Sequence, residues 1–122
     1  MLPPRHRMRR SEDFTDAVRG GARSGTRTVV VHLREPTSAG DKPALVGLVV
    51  SKAVGNAVER TQVKRRLRGV MASRMTGLAA GEMIVLRALP AARDASSAVL
   101  AADVDTGLSG ARRRLARRGA SR

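Results

Sequence analysis

The sequence predicts an α+β fold, a single sheet packed against helices in the order α-β-β-α-β-α. Three observations carry that prediction. Two runs rich in β-branched residues, RTVVVHLRE at 27–35 and ALVGLVV at 44–50, flank a polar turn segment, PTSAGDKP at 36–43. After Val54 and Gly55 the apolar spacing changes to that of a helix, with Val63, Leu67, Val70 and Met71 on one arc. A third apolar run, EMIVLRA at 82–88, follows that helix and ends before Pro90, so the runs at 44–50 and 82–88 are expected to be parallel neighbours.

The elements are justified in chain order. Residues 1–10, with Pro3, Pro4 and four Arg, read as a basic arm with little structure of its own. Ser11 offers an N-cap, Glu12 and Asp13 supply first-turn carboxylates, and Phe14, Ala17 and Val18 recur at helical spacing until Gly20 and Gly21 stop a short helix at 11–20. The strands at 27–35 and 44–50, joined by one loop, are expected to form an antiparallel pair. Asn56 is the N-cap of a helix over about 56–76 that Gly77 ends. Ser96 or Ser97 opens a final helix whose stripe is Leu100, Val104, Leu108, Ala111 and Leu115, weakened by Gly107 and Gly110. Residues 116–122 read as a fraying basic tail. One domain over 1–122 is expected from the length.

Charge narrows the function. The chain carries 24 Lys and Arg against 10 Asp and Glu, a formal net charge of +14 in 122 residues, which suits a polyanionic partner and makes nucleic acid the leading class. Five of these cations, Arg60, Lys64, Arg65, Arg66 and Arg68, fall within nine residues, and no acid follows until Glu82. On the helical wheel Arg60, Lys64 and Arg68 step around the flank of the apolar arc with Arg65 beyond, so one side packs while the adjacent side stays charged. The alternative is a solvated helix face, although charge runs on ordinary helices usually mix signs.

Other chemistry is poorly supplied. There is no cysteine, and His6 and His32 stand alone, so neither a disulfide framework nor a metal cluster is expected. The acids are scattered singly or sit in first helical turns, which argues against a self-sufficient nuclease and leaves no catalytic residue to name. No apolar run approaches the roughly 20 residues of a membrane span, and the start lacks the apolar core of a signal peptide, so a cytoplasmic protein is expected.

The stretch SKAVGNAVERTQVKRRLR at 51–68 resembles the signature of the bacterial ribonuclease P protein subunit, V-S-K-K followed by V/I-G-x-A-V-x-R-N-R-x-K-R-x-x-R. Val50, Ser51, Lys52, Val54, Gly55, Ala57, Val58, Arg60, Lys64, Arg65 and Arg68 match. RMRRSEDFTDAVRGG is similar to the family's N-terminal segment, VVVHL to its first strand and IVLRALPAA to its third, so the likeness spans roughly residues 5–115. Ala53 departs from the pattern, as do Thr61 and Gln62, which replace Asn and Arg and cost one cation; Arg66 stands ready to offset it.

The resemblance implies a protein cofactor of a ribozyme that removes the 5′ leader of precursor tRNA, with Mg²⁺ held mainly by the RNA subunit and substrate, and with hydrolysis carried out by that RNA. Implied partners are the catalytic RNA and precursor tRNA; no protein partner is evident. The implied contacts to catalytic RNA are Lys52, Gly55, Asn56, Arg60, Thr61, Gln62, Lys64, Arg65 and Arg68. A cleft for the single-stranded leader would use Phe14, Val18, Val30 and His32, Phe14 as a stacking platform. As alternatives, Phe14 is a core residue and His32 a structural histidine. The resemblance also implies a left-handed crossover between the parallel strands, against the usual rule. A ribosomal protein or DNA-binding regulator would share the basic helix without the coordinated spacing.

Overall fold

The computed structural model describes residues 2–36 and 42–119, together with the backbone but not the side chain of Ala120. The elements are α1 (Ser11–Gly20), β1 (Ala22–Gly25), β2 (Val29–Arg34), β3 (Leu45–Val49), α2 (Ala57–Ala72), β4 (Met83–Ala88) and α3 (Ser97–Ala120). The predicted α-β-β-α-β-α order is borne out, with one short strand added. Strand β1 is not foreseen because ARSG has no apolar alternation. It forms because a tight turn precedes β2: Thr26 N–H and Oγ1 both donate to the Val29 carbonyl, at 2.8 and 2.7 Å.

The four strands lie in the order β1-β2-β4-β3, with β1–β2 and β2–β4 antiparallel and β3–β4 parallel. The parallel pair matches expectation. The antiparallel pairing expected between 27–35 and 44–50 is corrected: β4 inserts between β2 and β3, so the long crossover supplies the central strand. Most of the 36–43 turn segment, residues 37–41, lies outside the described residues.

Strand alternation sends side chains to two different layers. Val29, Val31, Leu33, Val46, Ile84 and Leu86 face α2 and α3, where Val63, Leu67, Val70, Met71, Leu100, Val104 and Ala111 complete the main core. Leu108 and Leu115 pack against it partly buried, as their stripe predicts. Gly107 and Gly110 let α3 lie close on the sheet, since a Cβ at either would collide with Val31 or Ser24. These glycines, a weakness by helix propensity, serve packing. On the opposite face, Met8, Ala17 and Val85 are buried with Phe14, Leu45, Val49 and Met83 around them, and α1 covers this smaller cluster.

Two of the buried polar residues, Glu82 and Thr28, are matched by partners. Glu82, 4 % exposed, accepts from Arg112 Nη1 at 3.0 Å and from the Ala79 amide at 2.8 Å. Thr28 Oγ1 donates to Asp103 at 2.6 Å and ties α3 to the start of β2. At the far end of α2, Arg74 reaches both oxygens of Asp105 at 2.6 and 2.9 Å. That hydrogen bonding holds the Asp105 carboxyl below its ordinary pKa and raises that of Arg74.

Three local expectations are corrected. Arg10, not Ser11, is the N-cap of α1, and no side chain caps it. The first ten residues are not structureless: Leu2 and Met8 are buried, and Pro4–His6 form a 3-10 turn. The tail does not fray at 116; α3 runs on to Ala120, and Arg118 donates to the Gly21 carbonyl at 3.2 Å. Good helix formers such as Arg, Leu and Ala sustain that extension.

Candidate nucleic-acid interface

Helix α2 begins with a capping box. Asn56 Oδ1 accepts from the Glu59 amide at 2.8 Å, and Glu59 Oε1 accepts from the Asn56 amide at 2.9 Å. A Cβ at Gly55 would lie 2.6 Å from Glu59 Oε1, so glycine there leaves room for the box. Gly55 and Asn56 thus have a sufficient structural role, whatever else they touch.

With Val63, Leu67, Val70 and Met71 buried, helical geometry carries Arg60, Lys64 and Arg68 along one flank, all half-buried, and leaves Thr61, Gln62 and Arg65 exposed. Lys52 is exposed in the turn before the helix. The ion pairs among the described residues use Arg34, Arg74, Arg93 and Arg112, and none uses a cation of this flank. Glu59, the nearest acid in sequence, turns instead to Arg93 at 3.6 Å. Arg60 Nε is buried without a hydrogen-bond partner among the described residues. The flank is therefore a strip of uncompensated charge on a rigid, capped helix.

One signature departure, Thr61, and the neighbouring cation Arg66 have defined local partners. Thr61 Oγ1 donates back to the Ala57 carbonyl at 2.9 Å, so part of its hydrogen-bonding capacity is used within the helix. Arg66 Nη1 donates to the Arg93 and Ala95 carbonyls at 3.4 and 3.3 Å, so part of its guanidinium holds the turn before α3.

On the opposite face of the sheet, α1 and the strands enclose an open groove of about 270 Å³ lined by Phe14, Thr15, Val18, Arg19, Val49 and Arg87. The Phe14 ring lies directly on β3; a Cβ at Gly47 would be 2.5 Å from Phe14 Cε1. Phe14 is half-buried and Val18 is 37 % exposed, so Phe14 meets both expectations at once: it packs, and it presents an edge. Val30 and His32 do not line this groove. They are buried in the sheet on the same face, Val30 opposite Arg87, and His32 between Arg23 on β1 and Val85 on β4. Arg19, Val49 and Arg87 are not foreseen from sequence; an Arg inside the apolar run at 82–88 is the one signal that points to them.

The sequence model of the family described as Ribonuclease P matches residues 2–112. The chain is also 51% identical over 114 residues to the ribonuclease P protein component of Streptomyces bikiniensis, covering 88% of this chain and 93% of that protein. This chain belongs to the ribonuclease P protein family. The component from Kocuria rhizophila is 51% identical over 116 residues, covering 95% of this chain and 100% of its own length. The fold agrees. The Staphylococcus aureus RNase P protein aligns with a TM-score of 0.74 at 24% identity, covering 85% of this chain and 93% of that one. The Thermotoga maritima RNase P protein, solved with 1-(4-fluorophenyl)-2-thiourea, aligns at 0.69 and 18%, covering 81% and 94%.

Within this family member, His32 is the buried group most sensitive to its surroundings. It is 5 % exposed and its Nδ1 has no hydrogen-bond partner among the described residues. Burial, followed by the guanidinium groups of Arg87 and Arg23, lowers its pKa from the ordinary 6.5. The unfolded chain therefore takes up the proton more readily than the folded one. Stability from the neutral ring is complete above the unfolded value and is lost as the pH falls through it toward the folded value. Denaturant unfolding across a pH series should show the wild type losing stability as the pH falls below 6.5, a loss that His32→Gln escapes. Parallel profiles for the two proteins would remove His32 as the cause.

Proposed function

We propose that this chain is the protein cofactor of ribonuclease P, acting in maturation of the 5′ end of tRNA as a single RNA-binding domain. The cations of α2, with Lys52 and the entry turn, bind the catalytic RNA, and the groove beneath α1 receives the single-stranded leader of precursor tRNA. One observation carries this reading: unpaired cations and an aromatic-floored groove occupy opposite faces of one sheet, so two RNA segments are held without competing for surface. Phosphate contacts supply affinity to each, and Phe14 offers a ring edge to an unstacked base.

The protein supplies binding and the RNA supplies hydrolysis. Among the described residues no three His, Cys, Asp or Glu side chains converge as a metal site. In this reading Mg²⁺ would be held mainly by the RNA subunit and substrate, where it would stabilise developing negative charge. Among the described residues no helix is long and apolar enough to cross a membrane.

Reconstitution tests the proposal. At low Mg²⁺, adding the chain to a bacterial ribonuclease P RNA should raise cleavage of precursor tRNA, while the chain alone should leave the substrate intact. Leader removal by nuclease-free protein without RNA would overturn it.

A further inference from the structure

The N-terminal arm is fixed along the free edge of the sheet. The Met8 amide donates to the Val46 carbonyl at 2.8 Å, His6 Nδ1 lies 2.9 Å from the Ala44 carbonyl, and Arg7 Nε donates to the Leu2 carbonyl at 3.1 Å. Leu2, 1 % exposed, anchors the start of the arm in the main core. So anchored, the arm does not wave its arginines through solvent. It holds Arg5, Arg7, Arg9 and Arg10 around an open groove of about 410 Å³ that Leu45 floors and Asp13 borders.

This groove is aligned with the one at Phe14. Leu45, Gly47 and Val49 are alternate residues of β3 and share one face. Leu45 lies in the arm groove, the Phe14 ring sits on Gly47, and Val49 lies in the groove with Arg19 and Arg87. The two grooves are therefore consecutive along β3, separated over Gly47 by the Phe14 ring and Met8, with cations beyond them on each side. Asp13 offsets only one of the four arm charges. Alternating cations and a ring along a shallow track fit a single strand, whose phosphates and unstacked bases they match in kind.

We propose that the arm groove is a second phosphate-binding subsite for the precursor leader, taking nucleotides beyond the one seated at Phe14; this rests on the leader reading above. Catalytic RNA is the less fitting occupant, because the groove lies on the face opposite the α2 cations. The arm makes affinity depend on leader length: a leader ending at Phe14 gains nothing from it, and a longer one does.

The test uses the full chain assembled with the catalytic RNA, with Arg5, Arg9 and Arg10 changed to Gln and Arg7 spared because it holds the arm. Binding is measured for mature tRNA, for a precursor whose leader reaches only Phe14, and for one with a long leader. Removing three phosphate-binding cations, at roughly 0.7 apiece, should flatten the slope of log K against log salt by about 2 for the long leader alone. The variant in which the same three residues become Lys should keep most of the slope, which separates charge from folding. An equal change for all three substrates, weaker binding of catalytic RNA, or no change at all would each overturn the subsite. Phe14→Ala run in parallel tells the two failures apart: if it stays leader-selective while the arm variant does not, only the arm proposal falls, and if neither depends on the leader, the leader reading falls as well.

Discussion

Replacing Arg60, Lys64 and Arg65 together by Ala should weaken binding to the catalytic RNA while leaving the fold in place. The three side chains flank or lie outside the arc of Val63, Leu67, Val70 and Met71, and among the described residues no carboxylate compensates them. Their loss removes phosphate contacts without opening a cavity, and Ala favours the helix. At roughly 0.7 to 0.9 per neutralised phosphate, the slope of log K against log salt should flatten by about 2. A folded variant, checked by circular dichroism, with an unchanged slope would mean that these cations are merely solvated.

The second large effect is expected from Phe14→Ala. Its ring packs on Gly47 of β3 beside Met8 and borders the groove with Val18, so truncation removes packing and a stacking edge together. A half-buried ring should cost less stability than the roughly 3 to 5 kcal/mol of a fully buried one. Stacking of one base is worth about 1 to 3 kcal/mol, so precursor with a leader should lose that affinity in the assembled enzyme and mature tRNA should not. Equal losses on both tRNAs, accompanied by a lowered melting temperature, would assign Phe14 to the core alone.

What could be read from sequence follows the range of the interactions. Helix α2 is specified locally: a capping box three residues apart and an apolar arc repeating every three or four residues lie within one segment, and its flanking cations follow from the same geometry. Strand order is not local. Nothing in ALVGLVV says that its partner is EMIVLRA on one side and a basic arm on the other, because pairing is decided by long-range packing. The arm is hidden for a related reason: Leu2 and Met8 sit among arginines and prolines, and only the tertiary structure shows the pockets they fill.

The candidate sites divide the same way. Lys52, Arg60, Lys64, Arg65 and Arg68 announce themselves by density along one helix and the turn before it. The groove is assembled from α1, β3 and β4, so Val49 and Arg87 meet each other through strand register and join Phe14 and Arg19 only through tertiary packing. Val30 and His32, which the resemblance implies for the cleft, share its face by register but are buried in the sheet layer. Alternation predicts a face; the depth of a side chain below that face depends on what covers it.

The absence of cysteine makes the central claim, two RNA segments on two faces, directly measurable. In separate proteins, Arg65→Cys and Val18→Cys would each carry a photo-crosslinker at a single exposed position, one on α2 and one beside Phe14. In the enzyme assembled with catalytic RNA and precursor tRNA, the probe at position 65 should crosslink to the catalytic RNA and the probe at position 18 to the leader. Crosslinks from both positions to the same RNA, or from position 18 to catalytic RNA alone, would contradict the account.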